Sequence, residues 1–337
     1  MNIDKVNTLV QCYNKNTRYP ETPHIWSKTA IESPHLGFPG GIRGKAYISS
    51  CPLGIIIEGS PLSWFYSQNI CGPDMIQYLD IWAKDVISTY NGSLSCIIKR
   101  LTAAEVFWVN RLASRGIIDQ TLFWLQCYAR IHGSRYDMYL YPSENIGLGT
   151  LYSRPIEGYS NKSYLLRLYN KADQLYSYNS DSLIHLVVPE NTLKIESAFG
   201  SNNVHKILQK AQREGRPLST QLLAGNATSR LSNIRVYDPS DPPDPNGLTY
   251  KQLAMINRWK TGIDINPDMR TVREIRSKVS YDLRKPYSYY TNCEFDPSRE
   301  HASVEELLFP QFDIEPELWA KAQEILGLSD LSFERSL

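Results

Sequence analysis

Two glutamates stand out by where they fall in the chain. Glu58 closes the apolar run Gly54-Ile-Ile-Ile-Glu58, and Glu196 lies near the end of Leu193-Lys-Ile-Glu-Ser197. A half-buried carboxylate at the end of a strand is costly unless it is paired or bound to a cation, and hard divalent cations take oxygen ligands. The pattern offers either a metal site or a salt bridge, with Arg167 or Lys194 as the partner. Tyr169 and Lys171 are two positions apart, which on a strand turns both side chains to the same face. In a chain with 22 tyrosines, packing alone also produces such pairs.

Other familiar chemistries lack their residues. Gly37-Phe-Pro-Gly-Gly-Ile-Arg-Gly-Lys45 resembles a phosphate loop, but Pro39 replaces the first glycine and Ala46 the magnesium-holding Ser/Thr. The six histidines show no metal-binding spacing, and no Gly-x-Ser-x-Gly elbow is present. Six scattered cysteines form no Cys-x-x-Cys pair and read as reduced structural residues. The longest apolar stretches, Leu53 to Ile57 and Ile184 to Val188, fall far short of the roughly 20 residues a membrane span needs. With no secretory leader legible after Met1, the expected compartment is the cytoplasm, with no membrane partner.

Short β-rich segments must position these side chains: 46–49, 53–57, 136–141, 164–169, 183–188 and 193–197. They alternate with helical stretches near 75–86 and 117–128, a mixture that predicts an α+β fold with a central antiparallel sheet flanked by helices. Residues 1–238 form that domain in this reading. Residues 239–247 follow as a proline-rich linker, and 248–337 as a helical C-terminal region with an acidic tail. In the latter, 249–260, 268–283 and 316–327 read as helices, the last with Leu318, Trp319, Ala322, Ile325 and Leu326 on one face.

Charge is unevenly placed along a chain of net +1. From Glu294 onward there are three basic against eleven acidic residues, a local −8 that leaves +9 on the first 293. Lys206, Lys210, Arg213, Arg216, Arg230 and Arg235 cluster with only Glu214 opposing them. Between Lys251 and Lys285 nine basic residues face four acidic ones, and Arg270, Arg273 and Arg276 recur every third residue. Such a body attracts a polyanion, and the arginine spacing suits a helix side that follows a phosphate backbone.

Four blocks, in order, carry a resemblance to a known family. They are Ile57-Glu-Gly-Ser-Pro-Leu-Ser-Trp-Phe-Tyr-Ser-Gln-Asn-Ile-Cys-Gly72, Tyr164-Leu-Leu-Arg-Leu-Tyr-Asn-Lys-Ala-Asp-Gln-Leu175, Leu193-Lys-Ile-Glu-Ser197, and Leu248-Thr-Tyr with Trp259 and Gly262-Ile-Asp264. Together, from about residue 46 to 285, they resemble the gene II-type rolling-circle replication initiators of filamentous phages, HUH-like endonucleases of phages and plasmids.

The resemblance implies an enzyme that nicks one DNA strand at an origin, joining a tyrosine to the 5′ phosphate with the help of Mg or Mn. A phenol, with a pKa of about 10, needs nearby cation charge to become a nucleophile. It implies Tyr169 as first nucleophile candidate, Tyr152 as second and Lys171 as phosphate contact, with Glu58 and Glu196 as metal ligands. Arg111, Arg167, Lys206, Lys210, Arg270, Arg273 and Arg276 are the DNA-binding candidates. DNA is the implied partner, with a host helicase or single-strand-binding protein beside it.

The family's Arg-x-Asp-x-Thr strand has its best counterpart in Trp108-Val-Asn-Arg-Leu-Ala-Ser114. There Arg111 matches but Ala113 stands in place of Asp; Asp119, Asp137 or a different register are the ways to supply that ligand. The leading reading requires Glu58, Glu196 and Tyr169 to converge at one surface cleft. With the carboxylates on opposite faces, or Tyr169 in the core, this metal-site reading fails and the alternative takes over, an origin-binding or regulatory relative that does not cut. A structural or protein-interaction module would account for the tyrosines and acidic tail but not for the ordered blocks.

Overall fold

The computed structural model describes all residues except 39–40, 42, 132–135, 142–148, 156–163, 179–182, 233, 237–246, 280, 282, 285, 289–301, 310–313 and 327–337. The proline-rich linker, apart from Gly247, therefore lies outside the described residues, as does much of the acidic tail. No described helix is long and apolar enough to cross a membrane.

The fold is α+β, built on an antiparallel sheet in the order β11-β6-β7-β8-β9-β10-β5-β1-β4-β3-β2. Its centre is the long β5 (Leu94–Arg111), flanked by β1 (Asn2–Asn14) and β10 (Thr192–Phe199). Beyond β10 come β9 (Tyr164–Asn170), β8 (Thr150–Pro155), β7 (Tyr136–Tyr141), β6 (Ala129–Ile131) and β11 (Ile234–Val236). Beyond β1 come β4 (Gly54–Gly59), β3 (Lys45–Cys51) and β2 (Thr29–Glu32).

Alternation along the central strands sorts side chains by face. Val106, Trp108, Leu166, Leu168, Leu193 and Ile195 share one core with four helices. These are α2 (Leu79–Tyr90), α3 (Arg115–Tyr128), α6 (Ser201–Arg213) and α7 (Thr220–Leu231), which follow the short α1 (Pro61–Tyr66). The intervening positions, Glu105, Phe107, Arg167, Tyr169, Lys194 and Glu196, turn to the opposite face.

A smaller apolar cluster lies beside that second face. Val109 packs with Leu175 of α4 (Lys171–Tyr178), with Ile184 and Val187 of α5 (Ile184–Val187), and with Ile314, Leu318 and Ala322. The last three belong to α11 (Ile314–Leu326); the preceding α10 (Val304–Leu308) buries Leu307 in the main core. Leu307 O accepts from Trp108 Nε1 at 2.9 Å and Asn110 Nδ2 at 2.8 Å, pinning α10 to β5.

Helices α8 (Tyr250–Lys260) and α9 (Met269–Val279) have a core of their own, made by Ile256, Trp259, Ile275, Val279, Tyr281 and Leu283. Trp259 and Tyr281 thus pack inside this helical unit. Thr249 and Gln252 form a reciprocal capping box that starts α8.

Segment 183–188, expected as a strand, is the short helix α5 instead. A brief apolar run cannot be told from a buried helix by periodicity, and here its neighbours in the fold are α4 and α11, not another strand. The strand expected at 108–114 is the end of a much longer one, so Ala113 lies past β5.

Candidate active site

Glu196 sits in the middle of β10, where its register partners are Phe107 on β5 and Arg167 on β9. Lys194, two residues earlier and on the same face, pairs with Val109 and Tyr169. Tyr152 on β8 is the next residue in the Glu196–Arg167 row, half-buried beside Arg167. Glu105 enters from β5 opposite Ala198. Asp4 enters from β1 through an irregularity: the pairing with β5 slips between Ile3 and Lys5. A bulge of this kind re-aims a side chain, and Asp4 is buried while Lys5 is exposed.

The result is a buried charge cluster. Asp4, Glu105 and Glu196 each offer an oxygen within 4.8 Å of the others. Lys194 Nζ lies 2.9 Å from Asp4 Oδ2 and 3.0 Å from Glu196 Oε1. Arg167 pairs with Glu105, and its Nε is 3.1 Å from Glu196 Oε2. Tyr169 donates its hydroxyl to Glu196 Oε1 at 2.6 Å. Lys171, at the start of α4, donates to Asn69 Oδ1 at 2.9 Å and Gln174 Oε1 at 2.6 Å, and Asn69 Nδ2 donates to Asp4 Oδ1 at 3.1 Å.

Burial sets the proton affinities. It pushes Glu105 up to about 8, with Glu196 and Asp4 adding to the effect. Burial also raises the Tyr169 phenol well above its ordinary value, reinforced by Glu196. Lys171 is brought down to about 7, first by burial and then by Lys194. Burial alone would raise Asp4, but Lys194, Glu196 and Lys171 together outweigh it and hold the carboxyl below the usual carboxylate range. For Lys194 itself, burial is outweighed by Asp4 and Glu196, so it stays an ammonium.

Three oxygen donors converging at this range fit a hard divalent cation. Glu105 Oε1 is buried without a hydrogen-bond partner, a lone pair that an ion would satisfy. Asp4, Glu105 and Glu196 are the residues that would hold it, where it would act as a Lewis acid.

Of the residues singled out in sequence, Tyr169, Lys171, Arg167 and Glu196 meet here, with Tyr152 at the edge. Glu58 does not join them. It is a partly exposed residue of β4, its Oε2 2.7 Å from Lys28 Nζ, because the ends of two apolar strands need not meet when other strands lie between them. The expected convergence of Glu58, Glu196 and Tyr169 at one cleft therefore gives way to a cluster of Glu196, Asp4 and Glu105.

Tyr169 is only 3% exposed and belongs to the buried core, so the metal site expected from Glu58, Glu196 and a surface Tyr169 fails. Arg167 is committed to two carboxylates within the cluster. Arg111, at the end of β5, pairs with Glu317 of α11 at 2.8 Å. Lys206 and Lys210 lie exposed on α6, and Arg270 and Arg273 exposed on α9, with Arg276 half-buried. Arg270 pairs with Glu274 at 3.0 Å. The cations of α6 and α9 stand on elements apart from the cluster.

Two residues of the triad escaped the sequence reading. Glu105 carried a usable sign: it is the one acid inside the strand Leu94–Arg111, set between Ala104 and Val106, where an uncompensated carboxylate is costly. Asp4 carried none, since Asn-Ile-Asp-Lys-Val alternates like any half-exposed strand and the bulge is a pairing property.

No family model matches the chain, and no curated protein matches it. The structure of a rolling-circle replication initiator protein from Geobacillus stearothermophilus is similar, with a TM-score of 0.32 and 12% identity over 72% of this chain and 88% of that one. Similarity of that degree assigns neither family nor activity.

Proposed function

We propose that this chain is a DNA strand-processing initiator that binds an origin and cuts one strand by tyrosine attack on a phosphodiester, beginning rolling-circle replication. One observation carries the reading. Three of the four blocks that resemble the phage initiators contribute to a single hydrogen-bonded cluster: Asn69 from the first, Tyr169 and Lys171 from the second, Glu196 from the third. The first block lies about a hundred residues from the second in sequence, and a buried cluster whose proton affinities are shifted as far as those of Glu105 and Lys171 is the kind that marks functional sites.

In this reading Tyr152 is the nucleophile. Tyr169 is buried and its phenol holds its proton, whereas Tyr152 is half-buried at the rim, on the same face and next to Arg167. Tyr169 then orients Glu196 through its hydroxyl. Arg167 lies between Tyr152 and Glu196 in the register, a position from which its positive charge favours a developing phenolate. The breaking bond leaves a 3′ hydroxyl on one DNA end and the tyrosine joined to the 5′ phosphate of the other.

A second reading has its own observation. Lys194 sits among the carboxylates with Tyr169 sealed beneath, which favours an origin-binding or regulatory relative without cleavage. The deciding experiment incubates the full chain and its Tyr152→Phe and Tyr169→Phe variants with single-stranded oligonucleotides spanning the origin, in Mg2+ or Mn2+, and resolves adducts on a denaturing gel. An adduct with wild type and Tyr169→Phe but not with Tyr152→Phe is expected. Binding without an adduct in any protein selects the second reading.

A further inference from the structure

The buried cluster brings three carboxyl groups, Asp4, Glu105 and Glu196, against two paired cations, Arg167 and Lys194, while Lys171 faces the amides of Asn69 and Gln174. With all three carboxyls ionised, the paired groups carry one net negative charge. A divalent ion added to them would leave an uncompensated positive charge in a region shielded from water, where charge imbalance is expensive. Cation entry therefore requires a resident cation to leave.

The geometry identifies which one. Arg167 is a planar fork anchored on Glu105 and Glu196 from one side, and Lys171 faces Asn69 and Gln174. Lys194, like Arg167, bridges carboxylates of two strands, but it does so with a single ammonium, 2.9 Å from Asp4 Oδ2 and 3.0 Å from Glu196 Oε1. Its side chain has no exposure to solvent. An ammonium is a compact point charge on a flexible stem, so it can take an ion's place between two oxygens and also withdraw. The Phe107 ring, 4.2 Å from Nζ, offers it a second favourable contact.

We propose that the Lys194 ammonium holds the cation position of the Asp4–Glu105–Glu196 triad, so that a divalent ion binds this chain only by displacing it. The inference rests on the reading of the triad as a cation site. Lys194 is then a selectivity residue. It keeps the three carboxylates together without metal, and it weakens every divalent ion by the same competition, leaving occupancy to conditions in which a phosphate also ligates the ion.

The test measures Mn2+ binding to the full chain by electron paramagnetic resonance, with the thermal unfolding midpoint as a second readout. Lys194→Met keeps the length of the side chain and removes the charge. It is expected to bind Mn2+ about tenfold or more tightly than wild type and to gain Tm on adding Mn2+, while wild type gains little, since a ligand stabilises only the state that binds it. Lys194→Arg keeps the charge and is expected to stay weak.

Equal affinity in wild type and Lys194→Met overturns the displacement while leaving the triad a cation site. Absence of binding in both overturns the cation site and with it the metal-dependent part of the proposed function. Should Lys194→Met fail to fold with or without Mn2+, the comparison moves to Glu105→Gln and the Glu105→Gln/Lys194→Met pair, which carries one fewer unpaired carboxylate. Equal Mn2+ affinity in those two proteins is then the overturning result.

Discussion

Tyr169 and Lys171 lie two residues apart and both are buried, yet burial acts on them in opposite senses. It holds the phenol protonated and drives the proton off the amine. For Lys171 the folded value is about 7 against roughly 10.4 in an unfolded chain. Between these limits the unfolded state carries a proton that the folded state lacks, so stability rises with pH and is lost again as pH falls toward 7. Lys171→Met has no proton to take up. Its stability relative to wild type should therefore grow by on the order of 3 kcal/mol as pH is lowered from 9.5 to 7. Urea unfolding across that range measures it, and a relative stability independent of pH would show that Lys171 stays charged in the fold.

Helix α9 shows how an element divides its work between faces. Val272, Ile275 and Val279 are buried, which turns Arg270 and Arg273 outward, with Arg276 half-buried between the two environments. Arg270 is braced by Glu274 one turn on. A helix so disposed suits phosphate contact, which positions a protein without reading sequence. Replacing Arg270, Arg273 and Arg276 together with Ala is expected to weaken binding to all DNAs alike and to make the salt slope shallower by about 1 to 3. Filter binding at several salt concentrations gives both numbers. Unchanged affinity and slope would assign α9 to solvent and move DNA contact to Lys206 and Lys210 on α6.

At the scale of the whole molecule, helices α10 and α11 of the C-terminal region pack against the sheet domain. Leu307 of α10 is tied to β5 through Trp108 and Asn110, Leu318 of α11 is buried, and Glu317 pairs with Arg111. Glu315 lines a cleft of about 330 Å3 with Asn2, Phe107 and Val109, beside the charge cluster. DNA approaching that face would meet this negative charge. Neutralising it as Glu315→Gln/Glu317→Gln should strengthen nonspecific binding at low salt and lose that advantage as screening sets in. Deletion of residues 294–337 is a poorer test, because it also strips apolar side chains from both helix clusters. Equal affinity of the double variant and wild type at low salt would mean that the helix lies clear of the DNA path.

Much of this was legible from residues in order. Alternation and apolar runs announced an α+β chain and marked β3, β4, β7, β9 and β10. Glu196 declared itself as a carboxylate that had to be paired, and Lys194 and Arg167, named in sequence as its alternatives to metal, are both its partners. Those properties are local, set by side-chain type and spacing of two.

Tertiary structure alone decided the rest. Glu58 and Glu196 have the same local signature, but strand order places β1 and β5 between their strands and leaves Glu58 to Lys28. Asp4 reaches the cluster because a slip in β1–β5 pairing re-aims it, and pairing register is fixed by how two distant segments meet. Whether a tyrosine in this chain is a reagent or a strut likewise depends on depth. Tyr169 and Tyr152 sit on the same face of adjacent strands, and only the packing around them separates the buried phenol from the one at the rim.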